Sequence, residues 1–217
     1  MLHVIAKVPV PGHTKTRLIP ALGPEGAAAL SAAMTADVLE TVQATGLPWR
    51  VHFSGPADHA WLIGLPAIPQ VQGDLGARLT SALVAGGIAV GTDCVLLSST
   101  TLLGAHARLV EGAHVVLGLA PDGGYTFVAA SAHAVAMGVF EHIPWSTAQT
   151  ATAQLSRAKL LNLRPETVDG TFDVDEPADL ERLKAALRGL PPSIARHTRR
   201  ALDTPHKAGL ARAADPR

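Results

Sequence analysis

Four stretches of this chain gather residue types that could handle an anionic ligand or a metal ion. In "AKVPVPGHTKTRL" (6–18), Lys7, Lys15 and Arg17 surround a loop that also holds Pro11, Gly12 and Thr16. A glycine after a buried strand lets backbone approach a ligand closely. Lysine point charges and an arginine fork suit phosphate oxygens, so three cations on one loop could hold a diphosphate. The loop matches neither GxxxxGK[ST] nor GxGxxG, and a solvated basic loop would show the same spacing.

In "QGDLGARL" (72–79), Asp74 stands where a helix N-cap belongs, Gly76 permits close packing and Arg78 projects from the first turn. A plain cap explains Asp74 without any ligand. "LAPDGGYTFV" (119–128) sets Asp122, Gly123 and Gly124 between two apolar runs, the pattern of a hairpin, and the chain's single tyrosine, Tyr125, opens the second run. Asp122 could meet a second ligand there, with the glycines leaving room for a sugar or acceptor. In "FDVDEPADL" (172–180), Asp173 and Asp175 alternate along an extended segment and offer the hard oxygen donors that magnesium or manganese needs. The competing reading is an ordinary helix start, with Pro177 in the first turn and acids favoured by the helix dipole.

A fifth acid, Asp93, lies in "IAVGTDCVLLSSTTLL" (88–103), between two apolar runs that could each be a buried strand. If the strand is 88–90, Asp93 stands at its carboxyl end, where open α/β sheets bind ligands. If the strand is 95–97, Asp93 is a turn residue on the opposite edge.

The elements that must position these groups follow from the alternation of apolar runs with alanine-rich segments, the mark of a mostly parallel sheet covered by helices. Strands are expected at 2–8, 49–55 and 113–120, with 125–131 as an outer strand. Helices are expected at about 24–45, 74–86, 99–111 and 146–160, with a short one near 59–65 and a terminal helix after the acidic loop of 172–180. The fold class is α/β, a three-layer α/β/α sandwich. With 217 residues and 47% apolar content the chain suits one domain, 1–187. From 188 to 217 the sequence is basic and broken by prolines, and reads as a loosely docked or disordered tail; a docked helix using Arg196, Arg199 and Arg200 is the runner-up.

Eighteen basic and eighteen acidic residues cancel, so no global field recruits nucleic acid or an anionic membrane, and any anion site must be local. One cysteine excludes an internal disulfide and any CxxC motif. No run of about 18 apolar residues offers a membrane span, and the start of the chain has no signal-sequence pattern; a cytoplasmic protein is expected. Ten histidines show neither HxxxH nor HExxH spacing, and His3, His52 and His114 read as structural residues in or beside strands. No GxSxG elbow supports a serine hydrolase.

Taken in order, "AKVPVPGHTKTRLIPALG", "GDLGARL", "GTDC", "VVLGLAPDGGY", "IPWST" and "FDVDEPADL" resemble a bacterial family of candidate glycosyltransferases, domain of unknown function 2064, within the nucleotide-diphospho-sugar transferase superfamily of GT-A-like folds. The resemblance spans roughly 2–187. It implies that the first loop binds nucleotide and that the aspartate of "GTDC" ends a strand as counterpart of a DxD metal carboxylate. Two departures weaken the cation site: "DCVLL" replaces the family's "DCPDL", and "GLAPDGGYT" replaces "GPAEDGGYY".

The resemblance implies a glycosyltransferase that takes a nucleoside-diphosphate sugar with Mg2+ or Mn2+ and passes the sugar to a small acceptor. Lys7, Pro11, Gly12, Lys15, Thr16, Arg17, Asp74, Gly76 and Arg78 would bind nucleotide. Asp93, with Asp173 and Asp175, would hold the metal. Asp122 and Asp93 would act in catalysis, with Gly123, Gly124, Tyr125 and Trp145 on the acceptor side. Two alternatives stand beside it: a guanylyltransferase-like nucleotidyltransferase acting on a small phosphorylated substrate, and a degenerate, non-catalytic nucleotide-binding or partner-binding protein.

Overall fold

A computed structural model describes residues 1–204. Seven strands form one sheet: β1 (Leu2–Lys7), β2 (Trp49–Ser54), β3 (Ala67–Pro69), β4 (Gly87–Gly91), β5 (Val115–Leu119), β6 (Tyr125–Ala130) and β7 (Pro165–Asp169). Their order is β3-β2-β1-β4-β6-β5-β7. All neighbours pair in parallel except β6, which is antiparallel to both β4 and β5. The 125–131 run is therefore an interior strand and not an outer one. Every residue of β6 after Thr126 is buried on both faces, which the unbroken run FVAA allows.

Among the described residues the α-helices are α1 (Ile19–Gln43), α2 (Leu75–Ala82), α3 (Ser99–Val110), α4 (Ala132–Ala136), α5 (Thr150–Leu160), α6 (Pro177–Arg188) and α7 (Arg196–Asp203). Side chains alternate across the sheet with the two-residue period of a strand. Leu2, Val4, Ile88, Val90 and Phe127 meet Val38 and Val42 of α1 and Leu102 of α3 on one face. Ala89, Val115, Leu117, Val128 and Ala130 meet Leu79 of α2, Val135 of α4 and Ala158 of α5 on the other. Gly118 opposite Phe127 has no room for a side chain, since a Cβ there would come within 2.1 Å of the ring. A third cluster joins Leu30 and Met34 of α1 to Leu180, Leu183 and Leu187 of α6, so α1 lies between the sheet and an outer helix.

Several elements differ from expectation. The first helix begins earlier, at Ile19, and carries a kink where Gly23 takes a positive φ of 71° before Pro24. Strands β3 and β7 and helix α4 are short or edge elements with weak apolar periodicity, and went unread. The tail is not loosely docked over its described part. Asp37 of α1 accepts the backbone N–H groups of His197 and Thr198 at 3.0 and 2.7 Å, capping α7 from outside, while Arg196 and His197 both converge on Glu40. Arg199 ties back to the carbonyls of Leu187 and Leu190. Residues 205–217 of that tail lie outside the described residues.

The three histidines read as structural sit on strands or beside them. His3 and His52 stand on adjacent strands, His3 Nδ1 lying 2.9 Å from His52 Nε2, and both are buried. Burial, then the neighbouring His52, pull His3 down from 6.5 to about 4. The unfolded chain thus binds a proton near pH 6.5 that the folded chain refuses until about pH 4. Stability from this pair is complete above pH 6.5 and is lost as pH falls toward 4. The thermal midpoint is expected to drop by roughly 5 °C from pH 7 to pH 4.5, and less in His3→Gln; a midpoint that stays flat across that window contradicts the assignment.

Candidate functional site

The residues at the carboxyl ends of β1, β4 and β6's hairpin enclose a cleft of about 720 Å³. Strand β4 ends at Gly91, so Asp93 stands just past its carboxyl end, on the cleft side of the sheet. Gly91 leaves space for the carboxylate, because a Cβ at 91 would lie 2.8 Å from Asp93 Oδ1.

The loop after β1 is folded by its own polar groups. Thr14, buried, donates its hydroxyl to Val8 O at 2.8 Å and accepts from Val10 N at 3.2 Å. Lys15 then adopts the left-handed region, φ 49° and ψ 47°, a conformation that costs a non-glycine residue about 1–2 kcal/mol. That turn aims its ammonium inward, where it donates to Asp93 Oδ2 at 3.0 Å and to Asp175 Oδ1 at 3.4 Å. Arg17, more exposed, pairs with Asp175 Oδ2 at 2.8 Å and with Glu176 at 3.4 Å.

The acidic segment before α6 is an irregular loop. Val174 is buried in the outer core and donates its N–H to Asp93 O at 3.2 Å. Asp179 Oδ2 accepts from the N–H groups of Asp175 and Glu176, closing a capping box at the start of α6. Arg182 lies over the Phe172 ring at 3.9 Å. With Val174 anchored to the core, Asp173 and Asp175 flank it and both line the cleft.

The charges interact strongly. Burial would raise the Asp93 carboxyl, but the Lys15 ammonium outweighs it and holds Asp93 below the usual carboxylate range. Burial would lower Lys15, but Asp93 and then Asp175 hold it above the ordinary lysine value. Asp173 is raised, by burial first and by the nearby Asp93 charge second. Burial pushes the Cys94 thiol well up, so it is no nucleophile at neutral pH.

Two hard oxygen donors, Asp93 Oδ2 and Asp175 Oδ1, thus converge on one cationic point, with Asp173 close enough to sense Asp93. That donor set fits a magnesium or manganese ion whose remaining coordination comes from ligand oxygens and water. Among the described residues the only trio of ligand atoms mutually within 4.8 Å is Asp37, Glu40 and His197. That trio is the α1–α7 dock, its carboxylates already engaged by Arg196 and the α7 backbone.

Lys7, Lys15, Arg17, Arg78, Asp93, Asp122, Gly124, Tyr125, Trp145, Asp173 and Asp175 all face the cleft. Pro11, Gly12, Thr16, Asp74, Gly76 and Gly123 do not line it. Asp74 Oδ1 accepts from Ala77 N at 2.8 Å as a plain helix cap. Gly76 lets α2 sit against Trp145, a Cβ there falling 3.1 Å from Trp145 Nε1. Gly123, with φ 90°, lets the hairpin approach Ala148 O, which a Cβ would meet at 2.0 Å. Asp122 Oδ1 accepts from Gly124 N at 3.0 Å within the hairpin turn and is exposed at the rim. Tyr125 packs edge-on to Trp145 and its hydroxyl reaches Gln154 at 3.4 Å; burial pushes that phenol far above its ordinary value. Sequence reasoning missed Gln70, which lines the cleft and donates to the carbonyls of Ala6 and His52 at 2.9 and 2.8 Å. Its only signal is its place straight after the three-residue β3.

Solved structures share this architecture. A candidate nucleotide-diphospho-sugar transferase from Desulfovibrio desulfuricans G20 is 23% identical, with a TM-score of 0.82 over 92% of this chain and 93% of that one. A cytidylyltransferase from Leptospira borgpetersenii serovar Hardjo-bovis is 10% identical, with a TM-score of 0.61 over 93% and 91% of the two chains. CMP:2-keto-3-deoxy-manno-octonic acid synthetase, in complex with CTP, is 11% identical, with a TM-score of 0.59 over 87% and 98%. No curated protein matches the chain. The fold is therefore that of the nucleotide-diphospho-sugar transferases. The model of the family described as an uncharacterized protein conserved in bacteria (DUF2064) matches residues 31–147, more than half of the chain, and the protein belongs to that family.

Proposed function

We propose that the protein is a metal-dependent glycosyltransferase that binds a nucleoside-diphosphate sugar and passes the sugar to a small acceptor. The observation that carries this reading is the meeting of Lys15, Asp93 and Asp175 at the carboxyl edge of the sheet, in a cleft that also holds Lys7, Arg17 and Arg78. Four cationic side chains and four carboxylates on one cleft suit a ligand that is anionic in one part and bound through a cation in another.

Lys7, Lys15 and Arg17 neutralise the diphosphate, and Asp93 with Asp173 or Asp175 holds a magnesium or manganese ion. When bound, that ion offsets the charge that develops on the departing phosphate. Asp122, at the tip of the β5–β6 hairpin and lining the same cleft as Asp173, orients the acceptor or takes its proton. Trp145 and Tyr125 form the apolar wall behind it and exclude water from that end.

The second reading is nucleotidyl transfer, favoured by the fold shared with a cytidylyltransferase and with a synthetase complexed with CTP. There the same cations hold a triphosphate and the reaction releases pyrophosphate. Pyrophosphate from a nucleoside triphosphate and a small phosphorylated or sugar substrate supports this reading; nucleoside diphosphate from a sugar nucleotide supports the first.

Both readings require Asp93. In Asp93→Asn, calorimetry is expected to show manganese-dependent nucleotide binding weakened by roughly 100-fold or more, in a variant that still folds but with a lower thermal midpoint because the nearly buried Lys15 loses one of its two carboxylates. Wild-type affinity in a folded variant would sink the metal assignment. Because Lys15 competes with an ion for the same two carboxylates, Lys15→Met is expected to bind manganese alone roughly tenfold more tightly, while nucleoside diphosphate binds more weakly. A manganese affinity that falls in this variant contradicts the shared position of ammonium and metal.

A further inference from the structure

Two side-chain atoms beside the cleft, Gln70 Oε1 and Arg78 Nε, are buried and have no hydrogen-bond partner among the described residues. Gln70 follows β3 and its backbone N–H donates to Phe53 O at 2.8 Å. Its side-chain amide donates twice, to Ala6 O of β1 and to His52 O of β2. Two carbonyls can only accept, so the amide nitrogen must face them and cannot exchange places with the oxygen. Oε1 is thereby fixed as an acceptor with nothing to accept. A buried acceptor left in this state is destabilising, and a ligand N–H would satisfy it.

Arg78 rises from the first turn of α2 and takes part in no ion pair among the described residues, unlike Lys15 and Arg17. Gln70 and Arg78 both face the main cleft and a smaller recess of about 130 Å³, which shares Ser54 with the cleft and is otherwise bounded by Phe53, Gly55, Pro69, Val71 and Gln72. A fixed neutral acceptor and a cationic donor therefore flank a small, partly apolar recess. It adjoins the cation loop yet holds neither carboxylates nor the loop lysines, so it suits the uncharged end of a nucleotide and not its phosphates.

Resting on the nucleotide reading above, we propose that Gln70 and Arg78 select the base. Gln70 Oε1 accepts a ring N–H, and Arg78 donates to the carbonyl next to it. Uracil, thymine and guanine present a ring N–H beside a carbonyl; in cytosine and adenine the corresponding ring nitrogen is an acceptor and the donor is the exocyclic amine one position away, so these bases meet the pair only after shifting out of that register. A ligand that places an acceptor against Oε1 leaves both groups unsatisfied, and polar mismatches of that kind discriminate more strongly than size.

The test is calorimetric titration of the wild-type protein, Gln70→Leu and Arg78→Met with UDP, GDP, CDP and ADP in the presence of manganese. Wild type is expected to bind UDP or GDP at least about tenfold more tightly than CDP and ADP. Gln70→Leu narrows that ratio to under about threefold by weakening the preferred ligands, with CDP and ADP little changed. Should Gln70→Leu fail to fold for want of its two strand contacts, Arg78→Met, which gives up no protein hydrogen bond, reads the same ratio. No base preference in the wild type, a preference that survives substitution, or an equal loss for all four diphosphates overturns base selection and leaves nucleotide binding standing. Failure of all four to bind the wild type removes both.

Discussion

Lys15 places one ammonium between Asp93, at 3.0 Å, and Asp175, at 3.4 Å, and three segments distant in sequence meet there: the loop after β1, the end of β4 and the acidic segment before α6. The ammonium is nearly buried, so each charge needs the others to remain ionised away from water. Several local features exist to serve that contact. The left-handed backbone at Lys15, the missing side chain at Gly91 and the Val174 N–H bond to Asp93 O each remove an obstacle to it. A cation held by two carboxylates is also the kind of arrangement a divalent ion takes.

The sheet explains why the cleft lies where it does. Parallel strands β1 and β4 lie side by side and send their carboxyl ends to one edge, while antiparallel β6 brings the start of its strand, with the Asp122–Gly124 turn, to the same edge. One reversed strand in the interior thus delivers the hairpin turn to the edge that carries the cation loop. Behind this edge, α1 is held between the sheet and α6, and α7 is fastened to α1 by Asp37 and Glu40. Arg196 draws the Glu40 carboxyl down to about 2, so Glu40 stays ionised well below the usual carboxylate range.

The two sides of the cleft divide their labour by polarity. Near β1 and β2 the groups are cations and unsatisfied polar atoms, Lys7, Arg78 and Gln70 Oε1. Near the hairpin they are aromatic and carboxylic, Tyr125, Trp145 and Asp122. Asp173 lies between, raised by burial and by Asp93, and so marks where the electrostatic demands of the two sides meet.

Much of this was legible in the sequence, for identifiable reasons. Apolar runs marked β1, β2 and β5, because a strand buried on both faces is largely apolar, whereas β4 competed with a second apolar run at 95–97 and pairing with β1 decided between them. Asp74 announced itself as a cap by preceding an amphipathic helix, and the hairpin by Asp-Gly-Gly between apolar runs. The cation loop and the acidic segment could be named as charged stretches, but sequence distance hid that Lys15 and Arg17 would pair with Asp175 and not stand free. Gln70 carried no pattern, since an amide gains meaning only from the carbonyls it faces, and those belong to two other strands. The interior place of β6 and the docking of α7 were likewise decided by the tertiary structure, through strand pairing and through acids 156–161 residues away. Local sequence determined which groups were present and which elements carry them; the charges and hydrogen bonds between distant segments decided which of them are already satisfied and which are left for a ligand.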